Sequence, residues 1–236
     1  MDSIPEITGF LKKVFTTQAK TKAVIAVSGG IDSALSLTLL AKTLPKDQIF
    51  PLFLPYGDQS TQDAKTICTW NQIPTKNWKT VDIKPAVDLL SQTLAATDLR
   101  KGNIMARVRM IIVFDIAKRL DALVCGTENK SEHYLGYFTR FGDSASDIEP
   151  LCHLYKTQIR EIAETLDLPK VFLEKAPSAG LWDGQTDENE MGFTYEEADR
   201  AIEKYLQDKK AATETEQKVF SALQKADFKL HVPYSL

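Results

Sequence analysis

Apolar positions along the chain follow two different spacings, which divide it into predicted strands and helices. Short apolar runs predict strands at residues 24–27, 49–54, 78–83 and 122–125. Apolar residues three and four positions apart predict amphipathic helices at residues 4–19, 31–43, 61–70, 85–94, 103–120, 156–168, 195–207 and 214–225. Because strands and helices alternate, we expect an α/β fold with a doubly wound parallel sheet and helices on both faces.

Three stretches depart from this alternation. Residues 85–120 contain two helical patterns with no strand pattern between them, which predicts an inserted helical pair lying to one side. Residues 131–150 are polar and aromatic, as in a functional loop. Residues 175–193 combine proline, glycine and acidic residues in a way typical of a mobile lid. We expect residues 1–236 to form one domain.

Composition narrows the classes of function. Of the 236 residues 43% are hydrophobic and the formal net charge is −3, so a broad basic surface for nucleic acid is not expected. Cys68, Cys125 and Cys152 are odd in number and widely spaced, which favours reduced thiols over a disulfide framework or a zinc site. The sequence has neither a signal-peptide pattern nor a membrane-length apolar run. These features predict a cytoplasmic protein.

The clearest chemical signal lies between the first predicted strand and the next helix. There the sequence reads Ser28-Gly29-Gly30-Ile31-Asp32-Ser33. Adjacent glycines let the backbone approach an anion closely, and a helix N-terminus favours negative charge. The spelling fits neither the lysine-containing phosphate loop nor the three-glycine dinucleotide motif. It resembles the pyrophosphate-binding loop of the N-type ATP pyrophosphatases, which cut ATP between its α and β phosphates and adenylate a substrate.

A second motif is expected at the same edge of the sheet. Gly126, Thr127 and Glu128 follow the fourth predicted strand directly. In doubly wound sheets, ligands bind beyond the carboxyl ends of the strands. Residues 28–33 and 127–132 are therefore predicted to face one crevice.

Six segments together resemble the ammonia-dependent NAD synthetase family, from near the first helix to about residue 225. They are residues 28–33, the turn at 54–59, residues 102–107, Gly126-Thr127 with Glu132, residues 136–139 onward to Pro150, and residues 175–182 with 184–188. The last segment reads Lys-Ala-Pro-Ser-Ala-Gly-Leu-Trp and is highly specific. The resemblance implies an adenine nucleotide alpha hydrolase-like fold, which is Rossmann-like.

The resemblance also implies a two-step reaction. The nicotinate carboxylate of deamido-NAD attacks the α-phosphate of ATP and pyrophosphate leaves. Ammonia then displaces AMP from the acyl adenylate to give NAD. ATP is thus a co-substrate, Mg²⁺ the expected metal, and a homodimer with the acceptor site near its interface the expected assembly. Because no glutaminase domain is present in the sequence, free ammonia is the expected nitrogen source.

Site residues are carried over from the family position by position. The expected ATP-binding residues are Ala26, Val27, Ser28, Gly29, Gly30, Ile31, Asp32, Ser33, Thr127, Lys156 and Ser178. The expected Mg²⁺ ligands are Asp32 and Glu132, which offer the oxygen donors that this ion prefers. The expected deamido-NAD contacts are Arg107, Arg140, Asp147 and Lys229. The expected catalytic residues are Lys156 and Asp143, the latter placed to orient or deprotonate ammonia.

Without the resemblance, simpler interpretations of these residues stay open. Asp32 fits a helix N-terminal acid, Glu132 a surface acid, and Lys156 a surface lysine that begins a helix. Periodicity alone favours a solvated flank for Arg107 and Arg109. His133, His153 and His231 form no ligand cluster in the sequence, and we expect them to be hydrogen-bonded or surface residues.

Three departures from the family pattern concern the acceptor. Arg140 replaces a usual lysine, Ser144 and Ser146 stand in a stretch usually richer in glycine and alanine, and Phe228-Lys229-Leu230 replaces a usual His-Lys-Arg. These changes leave open a smaller acceptor, nicotinate mononucleotide. Two further alternatives are adenylation of another carbonyl compound, as in GMP synthetase, and a non-catalytic nucleotide-binding regulator.

Overall fold

A computed structural model describes residues 4–177, 186–208 and 210–231, and within these ranges four parallel strands form one sheet. The strands are β1 (Ala23–Ala26), β2 (Ile49–Phe53), β3 (Lys79–Thr80) and β4 (Leu123–Cys125). Their order is β3-β2-β1-β4. The chain builds the sheet outward from β1 through β2 to β3 and then returns to place β4 on the other side of β1. The carboxyl ends of β1 and β4 thus flank the switch point, where ligands bind in such folds.

Helices surround the sheet. They are α1 (Ile4–Thr17), α2 (Ile31–Thr43), α3 (Gln62–Trp70), α4 (Lys84–Thr93), α5 (Asp98–Leu120), α6 (Lys130–Leu135), α7 (Lys156–Thr165), α8 (Lys170–Glu174), α9 (Asp187–Met191), α10 (Tyr195–Gln207) and α11 (Glu214–Leu230). Two short 3-10 turns occur at Lys46–Gln48 and Thr75–Asn77.

Neighbouring residues of β1 point into different cores, as strand geometry requires. Ile25 packs in a core shared with α1, α2, α3, α7 and α8, whereas Val24 packs in a core shared with α4 and α5. Both residues are fully buried. The doubly wound prediction is therefore confirmed. The helices α4 and α5, which correspond to the predicted helical pair, pack together against one face of the sheet.

A third apolar cluster joins α6, α10 and α11 and contains Leu135, Ile202 and Phe220. It anchors these helices beside the carboxyl edge of the sheet. The prediction of a loop throughout residues 131–150 is wrong at its start, because α6 covers Lys130–Leu135. Asn129 begins this helix by accepting a hydrogen bond from Glu132 N at 2.9 Å.

Other bounds differ where packing or capping overrides the pattern. β3 is only two residues long, whereas the apolar run predicted six. α5 begins at Asp98 rather than residue 103, because an acid in the first turn favours the start and one interior glycine costs only about 1 kcal/mol. α11 continues to Leu230 rather than residue 225. Pro51 lies at the centre of β2, and β3 pairs only with the later residues Leu52 and Phe53.

Candidate functional site

The glycine-rich turn between β1 and α2 forms an open cradle. Gly30 is the N-cap of α2 and, having no side chain, leaves the first helical N–H groups without a side-chain cap. The hydroxyls of Ser28 and Ser33 lie 3.2 Å apart on its two sides, and the Ser33 hydroxyl donates to Gly30 O at 3.0 Å. Free N–H groups at a helix N-terminus bind anions well. The predicted cradle is thus formed by the backbone and two hydroxyls.

Gly29 holds this turn against α3. Its φ is +87°, which favours glycine, and a Cβ at this position would lie 2.9 Å from Cβ of Asp63. The Asp63 carboxylate accepts from Lys175 Nζ at 2.6 Å, and the same ammonium lies 3.5 Å from Gly29 O. Lys175 therefore ties the start of the predicted lid to the mouth of the cradle.

The ammonium of Lys156 lies between two carboxylates in the crevice. Its Nζ donates to Asp32 Oδ2 at 2.6 Å and to Glu132 Oε1 at 3.0 Å. The Lys156 side chain is 3% exposed, and those of the two acids are 16% and 18% exposed. The structure thus brings together the predicted phosphate-binding lysine and both predicted metal ligands. The interpretations of Lys156 as a surface lysine and of Glu132 as a surface acid are wrong.

Charge balance in this cluster depends on one cation that faces two acids. Burial by itself would lower the pKa of Lys156, but the charges of Asp32 and Glu132 outweigh it and raise the pKa. Burial raises the pKa of Glu132, although Lys156 opposes the shift. Lys156 is therefore charged at neutral pH, and the cluster favours either a proton on Glu132 or an additional cation.

Asn129 was not identified from the sequence, yet it links the two sides of the crevice. Its Nδ2 donates to Asp32 Oδ1 at 2.9 Å, while its Oδ1 caps α6 through Glu132 N. One fully buried amide therefore orients Asp32 on α2 and Glu132 on α6. A capping asparagine ahead of Glu132 was the only local signal for this role.

Four predicted acceptor-binding residues and Asp143 lie around the loop that follows α6. Arg107 Nε donates to Arg140 O at 3.2 Å, and Thr139 N donates to Asp143 Oδ1 at 3.0 Å. Lys229 Nζ donates to the carbonyls of Gly136 and Phe138, at 2.6 and 2.9 Å. Asp147 Oδ2 accepts from Val124 N at 2.7 Å, at the edge of β4. Several of these side chains thus support the loop itself.

Arg109 corrects an interpretation made from periodicity. It is not a solvated flank, because its Nε donates to Leu54 O at 3.0 Å and its guanidinium contacts Gln59 Oε1 at 3.3 Å. Burial lowers the pKa of Arg109. It fixes the turn after β2 from the facing helix α5. Arg107 is exposed, as periodicity suggested, but its guanidinium donates a hydrogen bond to the loop that follows α6.

Beneath the loop lies a pair of acids that sequence reasoning did not single out. Glu149 accepts from the Ser146 hydroxyl at 2.6 Å and from Glu128 N at 3.1 Å. Burial raises the pKa of Glu149 to about 8. A side chain at Gly126 would collide with the Glu149 carboxylate, so this glycine permits the close approach. Glu128 contacts His133 at 3.1 Å, which agrees with the expectation of a hydrogen-bonded histidine.

Thr127 and Ser178 are the two remaining predicted ATP contacts, and the structure says little about either. Thr127 is half-buried directly beyond the carboxyl end of β4. Ser178 and part of the predicted lid, residues 178–185, lie outside the described residues. α9 (Asp187–Met191) occupies the later part of the predicted lid.

Metal-binding clusters, membrane-spanning helices and cysteines were the other features to locate in the structure. In residues 4–177, 186–208 and 210–231, no group of three or more His, Cys, Asp or Glu side chains is arranged to hold a metal ion by itself. The same ranges contain no helix with both the length and the apolar character to cross a membrane. Cys68, Cys125 and Cys152 are free thiols, as predicted.

Comparison with known proteins agrees with the site. The family model described as NAD synthase matches residues 3–233. An NH(3)-dependent NAD(+) synthetase of Thermoplasma acidophilum is 41% identical over 100% of this chain and 98% of its own length. One from Fusobacterium nucleatum is 43% identical over 89% of this chain and 81% of its own.

Solved structures agree as well. The NMN synthetase of Francisella tularensis superposes with a TM-score of 0.86 and 36% identity, covering 99% of this chain and 96% of that one. The NH3-dependent NAD synthetase of Campylobacter jejuni, in complex with the nitrate ion, gives a TM-score of 0.82 and 29% identity over 99% and 97%. The predicted fold class is confirmed. The sequence match extends over nearly the whole chain and includes every element that builds the crevice, so the chain belongs to the NAD synthase family.

Proposed function

We propose that this protein is a ligase that amidates deamido-NAD to NAD with ammonia and ATP, releasing AMP and pyrophosphate. The observation that carries the proposal is the buried ammonium of Lys156 between Asp32 and Glu132, at the open N-terminus of α2. Adenylation requires an anion cradle, a fixed cation and acids for a metal in one crevice, and the open N-terminus of α2, Lys156 and the two acids fit these requirements. The curated relatives are named for this activity.

In the first step, a carboxylate oxygen of the acceptor bonds to the α-phosphorus of ATP, and the bond to the pyrophosphate oxygen breaks. The leaving pyrophosphate gains charge, which the N–H groups at residues 31–33 and the Lys156 ammonium would stabilise. Residues 26–33, Thr127 and Lys156 are the proposed ATP-binding set, with Ser178 as an expected addition.

Mg²⁺ is the proposed metal, and the residues present fit it. Asp32 and Glu132 offer hard oxygen donors beside the cradle, and Mg²⁺ is commonly held by one or two carboxylates together with substrate phosphates. When bound, the ion would neutralise charge between the phosphates. Asn129 keeps Asp32 oriented for this role.

In the second step, ammonia attacks the carbonyl carbon of the acyl adenylate and AMP leaves. Asp143 is the proposed group that orients ammonia and accepts its proton. Its carboxylate accepts a hydrogen bond from Thr139 N, and burial raises its pKa. Arg107, Arg140, Asp147 and Lys229 form the proposed acceptor-binding set, partly by holding the loop at residues 136–147.

A homodimer is the proposed assembly. α4 and α5 present large apolar side chains to solvent, including Leu89, Leu99 and Ile111, each exposed by 64% or more. Exposed apolar patches favour association between protein chains, and these side chains are candidates for such a patch. The three free thiols support a cytoplasmic location, where thiols stay reduced. We propose that residues 1–236 form one catalytic domain.

A second candidate acceptor is nicotinate mononucleotide. One specific observation favours it: the usual His-Lys-Arg near the C-terminus is changed, and its replacement Phe228 packs against Arg140, another changed position. The Francisella tularensis structure, described as an NMN synthetase, also superposes well. The chemistry at the carboxylate would be the same, and only the contacts to the distal half of the acceptor would differ.

The test is AMP release by the purified protein with MgATP and ammonium, with each acceptor offered separately and glutamine as the nitrogen control. We expect turnover with deamido-NAD and ammonium and none with glutamine. A higher kcat/KM for nicotinate mononucleotide would select the second candidate. AMP release with neither acceptor would contradict the proposal.

A further inference from the structure

The buried carboxylate of Asp199 lies behind the crevice, on α10, and belongs to no part of the reaction described so far. The residue is 6% exposed. Its Oδ2 accepts from Thr157 Oγ1 at 2.8 Å and from Thr157 N at 3.0 Å. Its Oδ1 accepts from the hydroxyl of Ser131. Asp199 therefore joins α10 to the first turns of both α6 and α7.

The two partners of Asp199 are sequence neighbours of the reactive residues. Ser131 precedes Glu132, and Thr157 follows Lys156. The Ser131 hydroxyl also accepts from Lys156 N at 2.9 Å. A continuous hydrogen-bonded path thus runs from Asp199 through Ser131 to the backbone of Lys156. A displacement of Asp199 would change the spacing of the Lys156 and Glu132 side chains.

The same helix reaches Lys156 a second time. Tyr195, one turn before Asp199, places its ring centroid 5.2 Å from Lys156 Nζ. Its hydroxyl donates to Asp187 Oδ2 at 3.0 Å, on α9. α10 therefore contacts the side chain of Lys156 through Tyr195 and its backbone through Asp199 and Ser131. This arrangement also connects the crevice with α9 in the predicted lid.

We propose that Asp199 is a positioning residue that holds Lys156 and Glu132 at the spacing needed to bind the pyrophosphate part of ATP. The inference rests on the proposed function, because it assigns Lys156 to phosphate binding. Asp199 acts through Ser131 and Thr157 and touches no substrate. Loss of supporting residues of this kind typically costs about 10- to 100-fold in affinity or activity.

The test compares Asp199→Ala with Asp199→Asn. Alanine removes every acceptor, whereas the asparagine oxygen still accepts from Thr157 and its amide can donate to Ser131 Oγ. Ser131→Ala removes the hydrogen bond that Lys156 N donates to Ser131. It is the variant to use if Asp199→Ala does not fold. Thr213→Ala is the matched control, because it removes the N-cap of α11 and lowers stability away from Lys156.

Binding of inorganic pyrophosphate with Mg²⁺ is measured by calorimetry, alongside kcat and KM for ATP and a thermal melt. We expect Asp199→Ala to weaken pyrophosphate binding and lower kcat/KM for ATP about 10- to 100-fold, with KM for ammonia unchanged. Asp199→Asn should retain most of the pyrophosphate affinity and most of kcat/KM for ATP. Thr213→Ala should unfold at a lower temperature but bind pyrophosphate with wild-type affinity. Wild-type pyrophosphate affinity and kcat/KM in a folded Asp199→Ala protein would overturn the inference.

The wild-type protein separates this inference from the proposed function. If it binds pyrophosphate but releases no AMP with any acceptor, the proposed function fails while the binding comparison still tests Asp199. If it neither binds pyrophosphate nor releases AMP with any acceptor, both fail. Activity in the wild type with no difference between Asp199→Ala and Thr213→Ala overturns only the positioning role.

Discussion

The guanidinium of Arg140 stacks over the ring of Phe228, with Cζ 4.9 Å from the ring centroid. Arg140 lies in the loop after α6 and Phe228 lies on α11. A cation–π contact at an exposed site stabilises by about 0.5–1 kcal/mol. We therefore expect a change at Phe228 to affect the position of Arg140.

Phe228→Ala is expected to release Arg140 and raise KM for the acceptor about two- to five-fold, the change in affinity that corresponds to the energy of such a contact. KM for ATP should not change, because this contact involves neither the cradle nor Lys156. Steady-state kinetics with each acceptor measures both values. The control is Phe10→Ala on α1, since Phe10 and Phe228 are equally exposed at 46%. An equal effect of both variants would contradict the prediction.

Lys156→Met is expected to abolish turnover and to lower the free energy of unfolding by about 3–5 kcal/mol, because it leaves the buried acids without their cation. Mg²⁺ should restore part of the lost unfolding free energy. The increase that Mg²⁺ causes should be larger in Lys156→Met than in the wild type. Urea denaturation with and without Mg²⁺ measures both. Lys20→Met breaks the exposed pair with Asp121 and should cost at most about 1 kcal/mol. No extra stabilisation by Mg²⁺ in Lys156→Met would argue against the proposed metal site.

Asp143→Asn is expected to lower kcat/KM for ammonia about 100- to 10,000-fold, as for loss of a general base. The adenylation step should survive, because it needs no proton acceptor at this position. Exchange of labelled pyrophosphate into ATP, measured without ammonia, follows adenylation alone. The control is Asp115→Asn, an exposed acid on α5. Equal loss of exchange and amidation would rule out a role restricted to ammonia.

Glu149→Gln is expected to flatten the pH dependence of stability. Burial raises the pKa of Glu149 from 4.5 to about 8, so the folded protein keeps a proton that the unfolded chain releases. The stability contributed by this group is present below pH 4.5 and lost as pH rises to about 8. Glutamine is neutral at every pH in this range, so it does not titrate. The Ser146 hydroxyl can still donate to the glutamine oxygen or accept from its amide.

Urea denaturation at pH 5 and pH 8 measures this effect. The gain in unfolding free energy of Glu149→Gln over the wild type should be larger at pH 8. Glu164→Gln, at an exposed position of α7, should show the same difference from the wild type at both pH values. A pH-independent difference for Glu149→Gln would show that its carboxyl is not the titrating group.

Ile111→Asp is expected to dissociate the proposed homodimer, because it places a charge on the exposed apolar face of α5, where Ile111 is 67% exposed. Light scattering after size exclusion measures the mass in solution. Leu206→Asp changes a 46% exposed leucine on α10 and should leave the mass unchanged. A wild-type monomer at all concentrations would contradict the proposed assembly.

Local signals in the sequence determined the framework. The positions of the strands and of most helices were predicted, although β3 is shorter than expected, because periodicity and turn chemistry depend on neighbouring residues. α2, for example, begins and ends at the predicted residues, Ile31 and Thr43. The family and its fold also followed from segments readable in the sequence. The binding and catalytic roles of all the site residues, Lys156, Asp32 and Glu132 included, stay predictions.

Tertiary structure decided which side chains meet. Lys156 and Asp32 are 124 residues apart, and nothing local indicates that the lysine is buried between two acids. Asn129, Arg109 and Asp199 act through partners on other elements, so no spacing pattern identified them. Periodicity specifies which face of a helix is apolar, but the partner of a polar side chain depends on the path of the whole chain. The sequence alone thus determined the elements and the cradle, whereas the fold determined the charge balance and support of the site.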